Sequence, residues 1–469
     1  MQRILSISAF VWIFCWSATA QTDSLCYIGE ISITGNKRTK DAVILREMQV
    51  RTGDTLPLDQ LPRLLEESRL MLVNTALFTK VDIYYKDWEA RNNRVHIRVE
   101  VDESWYIYPV PVFDLADRNF NVWWVEQKRS LQRVNYGLDF SHTNFSGNND
   151  PLKAKIQFGY TRKYNLRYTL PFINRKKTLG IYSYIEYAQN REVNYATEGN
   201  KQLFFRLEDR FISQRFRTQL GLNYRPGART FHYAELGFHQ NRIDPIVADS
   251  LNPGFFLDGR HLQRYFSFKY EFTRDFRDIR AYPLNGHYLR AGLLKDGLGI
   301  FSDRNALTFT LRYERYLPAK GRWSAALMAD SKYSLIRQQQ PYNDNRALGF
   351  GQVYLPGYEY YIADGPDMLL LRSLFRFKLI DRTLKFGKWV PLESYRQIPF
   401  KAYVAMNAGW AYINDPFASR IGNPLNNRPL WGGGPALHLV FFYDKVLLIE
   451  YSFNHLGEKG LFLHLNMNI

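Results

Sequence analysis

Beyond Trp105 the chain alternates apolar and polar residues with a period of two. Leu152, Ala154, Ile156, Phe158 and Tyr160 interleave with Lys153, Lys155, Gln157 and Gly159. Phe266, Phe268, Tyr270 and Phe272 interleave with Ser267, Lys269, Glu271 and Thr273, and Leu307 to Glu314 repeats the pattern. The last residues do so again, with Leu461, Leu463, Leu465, Met467 and Ile469 on one face. A two-residue period places every apolar side chain on one side of an extended strand. Seventeen segments read this way, centred near residues 109, 138, 156, 168, 185, 208, 221, 236, 269, 290, 311, 330, 374, 405, 438, 450 and 465. Single-chain membrane barrels close on an even number, so the pattern predicts sixteen antiparallel strands. The polar face is charged (Lys153, Lys155, Arg312, Glu314, Arg372, Arg376, Lys378) and suits a wet lumen. The apolar face ends in aromatics, as a lipid-facing wall does. A large secreted β-sandwich or propeller is the competing architecture, but no blade-length repeat is visible.

Before Trp105 the period differs. Ile31 and Ile33 form a strand that ends at Thr34-Gly35-Asn36. Thr39 then stands as the N-cap of a short helix running to about Met48, with Asp41 favoured in its first turn. Leu61, Leu64, Leu65, Ser68 and Leu72 share one face of a second helix, and Pro62 fits its first turn. Two alternating strands follow, one through Val81, Ile83 and Tyr85 and one through Val95, Ile97, Val99 and Val101. The expected order is β-α-α-β-β.

Composition narrows the class. Hydrophobic residues make up 46% and aromatics 16%, too much for a disordered chain. The first twenty residues read as a secretory leader: Arg3, then an apolar core from Ile4 to Trp16, then Ala18-Thr19-Ala20 before Gln21. No later apolar run reaches the length of a spanning helix. An exported chain of this kind is either soluble or a closed barrel. The division expected is a leader over 1–20, a small α/β domain over 21–104 and a barrel over 105–469. The two cysteines, Cys15 and Cys26, allow neither a disulfide framework nor a Cys-based zinc module. The net charge of +17 is dispersed at alternate strand positions, so a charged lumen or anionic lipid headgroups account for it, and no nucleic-acid partner is implied. The nine histidines show no metal-ligand spacing, and no nucleophile elbow or P-loop is present. The chain therefore reads as a non-enzyme with no catalytic residue, metal or cofactor.

Ile31-Ser32-Ile33-Thr34-Gly35-Asn36, Thr39, Ile44, Arg46-Glu47 and Asn74-Thr75-Ala76-Leu77-Phe78 resemble a POTRA domain. Thr273-Arg274-Asp275 with Pro283 and Gly286, the long loop at 355–364 and the terminal strand resemble the BamA/TamA-like outer-membrane assembly barrels. The resemblance spans about residues 27–469. It implies a Gram-negative outer membrane, with the POTRA in the periplasm and the barrel in lipid and lipopolysaccharide. It also implies unfolded or β-rich polypeptide clients, periplasmic or lipoprotein partners, and a long loop that folds into the lumen. The family's loop tip carries Arg-Gly-aromatic, paired with an Asp on a neighbouring strand. Here the tip reads Leu355-Pro356-Gly357-Tyr358, and Asn407, ahead of Gly409, stands where the Asp is expected. Losing both partners avoids a stranded charge. The loop is then expected in the lumen, held by Tyr358, Tyr360 and Tyr361; a surface lid is the alternative.

Two further sites are expected. Pro109 and Pro111 on the first barrel strand lack N–H groups on one edge, which should meet the last strand at Leu465, Met467 and Ile469 as a weak seam, a lateral gate. Val95, Ile97 and Val99 are expected at a POTRA sheet edge open to strand addition. Polypeptide insertion or translocation is the leading function. A passive channel or secretion pore and an inert surface antigen are the other classes.

Overall fold

The computed structural model describes residues 25–465 apart from 90–92, 117–119, 175, 319–320, 352, 386, 388–396, 419–421 and 442–444. The expected leader and the seam residues Met467 and Ile469 lie outside the described residues. The N-terminal part comprises β1 (Leu25–Thr34), α1 (Asp41–Glu47), β2 (Thr55–Pro57), α2 (Leu61–Val73), β3 (Phe78–Glu89) and β4 (Arg94–Glu103). Its sheet runs β2-β1-β4-β3, with β1 parallel to β4 and the other pairs antiparallel. Alternation along β4 buries Val95, Ile97, Val99 and Val101 against Ile44 and Val43 of α1 and Leu61, Leu65 and Leu72 of α2. Each fully buried aliphatic chain contributes roughly 1.5–3 kcal/mol. The free thiol of Cys26 is enclosed in this core. Ser68 sits on the apolar face of α2 without penalty, because its hydroxyl donates to Leu64 O at 2.7 Å and accepts Gln49 N–H at 2.9 Å.

Two expectations are corrected here. Val95, Ile97 and Val99 do not lie at an edge: β4 is interior, flanked by β1 and β3, and the free edges belong to β2 and β3. The non-local parallel pairing of β1 with β4 puts it there. Thr39 is not the N-cap of α1, a position held by Lys40. Its hydroxyl instead meets Tyr106 Oη at 2.8 Å and Asn144 Nδ2 at 3.0 Å, where the domain joins the barrel.

The barrel strands are β5 (Ile107–Leu115), β6 (Val134–His142), β7 (Leu152–Gly159), β8 (Thr161–Leu170) and β9 (Leu179–Asn190). After a separate hairpin of β10 (Glu192–Glu198) and β11 (Lys201–Arg206) come β12 (Ser213–Gly227), β13 (Thr230–Ile243), β14 (Leu262–Asp275) and β15 (Gly286–Asp296). Next are β16 (Ala306–Pro318) and β17 (Trp323–Ser334), then β18 (Arg346–Leu348) and β19 (Ala363–Asp364), which pair within the long loop. The sheet ends with β20 (Asp367–Lys385), β21 (Gln397–Asn414), β22 (Pro429–Phe441), β23 (Lys445–Asn454) and β24 (Lys459–Leu465). Sixteen strands form one antiparallel sheet in chain order from β5 to β24. The supernumerary seventeenth segment, centred near residue 208, falls in the bend just past β11 of the β10–β11 hairpin and is no strand of the wall. The period of two sorts the faces: Leu369, Leu371 and Phe375 of β20 are exposed, while Leu370 and Arg376 are buried inside. No described helix is long and apolar enough to cross a membrane, so any crossing is by strands.

The POTRA-type domain is docked onto turns at one end of the barrel. Glu47 receives both guanidinium nitrogens of Arg225, each at 2.7 Å. Arg38 Nε donates to Asn144 O at 3.0 Å, Lys40 N–H to Gly147 O at 3.0 Å, and Asn74 Nδ2 to Asp278 O at 3.1 Å. The Arg46 guanidinium lies over the Phe172 ring.

Candidate functional site

Strand parity decides what the ends of the sheet expose. Thr143 N–H donates to Tyr106 O, and Ala116 N–H to Arg133 O. Even-numbered backbone groups of β5 therefore face β6, and odd-numbered ones face away. Pro109 and Pro111 are odd. An unpaired strand edge inside hydrocarbon leaves orphan N–H groups, each costing several kcal/mol, roughly. Proline is the one residue that removes the orphan altogether. On the same edge, Ile107 O accepts the indole N–H of Trp105.

The other end is treated alike. Asn454 N–H donates to Glu458 O, so the backbone of Leu461 points away from β23. Its carbonyl accepts Asn121 Nδ2 at 2.6 Å, from the segment that follows β5. Leu465 shares this parity, and its side chain is 71% exposed on the outer face. Among the described residues β5 and β24 do not pair, and their edges are capped by side chains. Pro109→Thr with Pro111→Thr returns two donors to the edge. Amide exchange at 461–465 should slow, as the strands zip. Unchanged exchange there would show that the prolines do not set the seam.

The long loop between β17 and β20 turns inward. Its tip lies on the lumen face of β21, β22 and β23, where small residues make room. A Cβ on Gly409 would meet Leu355 Cδ1 at 2.6 Å, and one on Gly432 would meet Pro356 O at 2.1 Å. Gly357 has φ +85° and lies against Phe453 O, a conformation and a space that exclude a side chain. Asn454 Nδ2 donates to Gly357 O at 2.7 Å. Leu355 and Tyr358 are buried, at 0% and 1% exposure. The Tyr358 hydroxyl meets His455 Nδ1, Tyr361 Oη donates to Glu458 at 2.7 Å, and the Tyr360 ring packs on Phe462. Gly409 is thus brought to Leu355 and Pro356, and Asn407, two residues earlier on β21, lies beside Glu450.

A second insertion enters from the POTRA end. Tyr282, in the turn after β14, hydrogen-bonds His438 Nδ1 at 2.8 Å and packs on Tyr403. Pro283 O accepts from Arg376 Nη2 at 2.9 Å. Arg277, Glu314, Arg312 and Asp330 link into an ion-pair chain across the lumen wall. Sequence reasoning missed this plug and both edge caps. An aromatic-proline pair between two charged turns was the available signal for the first; the caps left none.

A barrel of sixteen strands with one α/β domain docked at its mouth is the architecture of an outer-membrane β-barrel with a single POTRA. Residues 26–104 match the POTRA model, described as a surface antigen variable number repeat, and residues 144–369 match the Omp85 superfamily domain. The chain thus carries a POTRA domain followed by an Omp85 superfamily domain. Among solved structures, CdiB from Escherichia coli is similar at 13% identity and a TM-score of 0.56, covering 94% of this chain and 75% of that one. CdiB from Acinetobacter baumannii is similar at 12% identity and a TM-score of 0.52, covering 94% and 73%. BamA from Haemophilus ducreyi lacking POTRA domains 1–3 aligns at 13% identity and a TM-score of 0.49, covering 93% and 83%. At such identities the likeness is one of fold. No curated protein matches the chain.

Proposed function

We propose that this protein inserts polypeptides into, or passes them across, the outer membrane of a Gram-negative bacterium. The leader over 1–20 is removed on export, the POTRA over 21–104 stands in the periplasm, and 105–469 lies in lipid and lipopolysaccharide. The observation that carries this reading is the pair of capped, unpaired edges on β5 and β24. A β-rich client strand that displaces the Asn121 amide from Leu461 O finds a backbone acceptor at once, so templating costs little. Clients or lipoprotein partners reach the POTRA by adding to its free β3 edge, through backbone bonds independent of their sequence. No covalent step or cofactor enters.

The test is the folding rate of a β-rich client into liposomes carrying the purified chain. Acceleration that falls in the Pro109→Thr/Pro111→Thr protein supports the reading, and equal acceleration in both removes the seam from the mechanism. A passive channel is the weaker reading because the 354–361 tip and the Tyr282–Pro283 turn occupy the lumen from opposite ends.

A further inference from the structure

We infer that Glu359, Glu450 and His464 form a binding site for one divalent transition-metal ion of the zinc type, which ties the lumen loop to the last two strands. The three ligands come from separate elements, the loop tip, β23 and β24. One ligand atom from each lies within 4.8 Å of the others. All three are buried, Glu450 at 0%, Glu359 at 3% and His464 at 6% exposure.

Two atoms point to a missing partner. Ser452 Oγ donates to Glu450 Oε1 at 2.6 Å, yet Glu450 Oε2 has no hydrogen-bond partner. His464 Nε2 has none either, and stands 3.7 Å from Glu359 Oε1, beyond hydrogen-bonding reach. Buried charges are paired or coordinate metals. The bordering cation, Arg372, donates no hydrogen bond to the cluster: its guanidinium lies over the Tyr354 ring, Nη2 approaches Met328 Sδ at 3.2 Å, and Nε has no hydrogen-bond partner.

The donor set fits the ion. Two carboxylates and an imidazole leave a fourth position for water, and zinc takes such O and N ligands at about 2.0–2.2 Å, so a small closure of the three groups completes the shell. Supporting contacts hold the ligands in place. The Tyr354 ring stacks on His464 with centroids 4.5 Å apart, and Ser452 Oγ holds Glu450 Oε1 at 2.6 Å. Neighbours Tyr358 and Tyr360 pin Glu359 from both sides. Spacing along the chain hides the cluster, because the ligands meet only when the loop enters the lumen.

The inference is independent of the proposed transport role and is tested by binding alone. The full chain, purified untagged in detergent and stripped with EDTA, is titrated with ZnCl2 by calorimetry and with CoCl2 by visible absorption. One ion per chain is expected, with a cobalt spectrum of low-symmetry N/O coordination. Glu359→Gln, Glu450→Gln and His464→Gln should each weaken binding at least about tenfold. His438→Gln, a lumen histidine outside the cluster, should bind as the parent does. Heat-modifiable migration on gels reports folding of each variant, and Glu359→Gln lies on the loop, where barrel closure does not depend on it. Zinc should also slow amide exchange over 355–361 in the parent. Absence of saturable zinc or cobalt binding by the folded parent overturns the inference, as would a proton shared between the carboxylates, which gives no cobalt spectrum. Binding that survives all three substitutions overturns it too.

Discussion

Replacing Gly432 by valine is expected to drive the loop tip out of the barrel. A Cβ at this position would stand 2.1 Å from Pro356 O and 2.8 Å from Phe453 O. Both are backbone atoms, so neither can swing aside as a side chain would. Overpacking of a well-filled interior costs about 1–3 kcal/mol, and unyielding backbone puts this case at or above the top of that range. Gly409→Val should cost less, because the clash at 2.6 Å is with the flexible Leu355 Cδ1. The measurement is limited proteolysis of the folded, detergent-solubilised protein, read for cleavage within 335–366, with bilayer conductance beside it. The valine protein should be cut there and should conduct more. A loop as protected as the parent's would show that the tip does not depend on the hollow at Gly432.

The second large effect concerns the junction between the two domains. Glu47 is 2% exposed and is clasped by Arg225 at 2.7 Å through both oxygens, with Arg46 at 3.0 Å. Glu47→Ala leaves two guanidinium groups facing each other without their counter-ion, a loss of about 3–5 kcal/mol. The POTRA should come away from the barrel turns, exposing the linker around 103–107 to protease. Acid should act on the same contact, and the sign follows from the carboxyl. Burial, the largest single influence, pushes its pKa up, but the Arg225 hydrogen bonds and the charges of Arg225 and Arg46 outweigh it and hold the group below the ordinary range. A depressed pKa gives stabilisation that is complete above the undocked value of about 4.3 and is lost as pH falls through the docked one. Docking should therefore be the same at pH 7 and pH 5 and fail only in stronger acid. Release between pH 7 and pH 5 would show that another group controls the contact.

How far these features can be read in the sequence depends on the range of the interaction. Alternation is local, so the strands of β14, β16 and β24 stand out from Phe266, Leu307 and Leu461 onward. The same locality produced the spurious strand near 208, because Leu203 and Phe205 alternate in a hairpin as they would in the wall. Pro109 and Pro111 were legible because parity is a covalent property: two prolines two residues apart must strip the same edge. Val95, Ile97 and Val99 were misread because their place in the sheet is set by β1, some sixty residues upstream. Asn121 reaches Leu461 across 340 positions, and nothing in its surroundings announces that. Glu359, Glu450 and His464 were invisible for the same reason. The resemblance pointed to a tip at Leu355–Tyr358 and to Asn407 and Gly409 as its strand neighbours; Gly409 lies against Leu355 and Pro356, and Asn407 lies beside Glu450.

The stoppered ends of the sheet also bear on how the chain behaves before it reaches a bilayer. A bare strand edge invites stacking with the same edge of another molecule, the route to fibrous aggregates. Here proline, an indole and an amide from the protein's own loops blunt both terminal edges, so a second copy must first displace these groups before the two edges can stack.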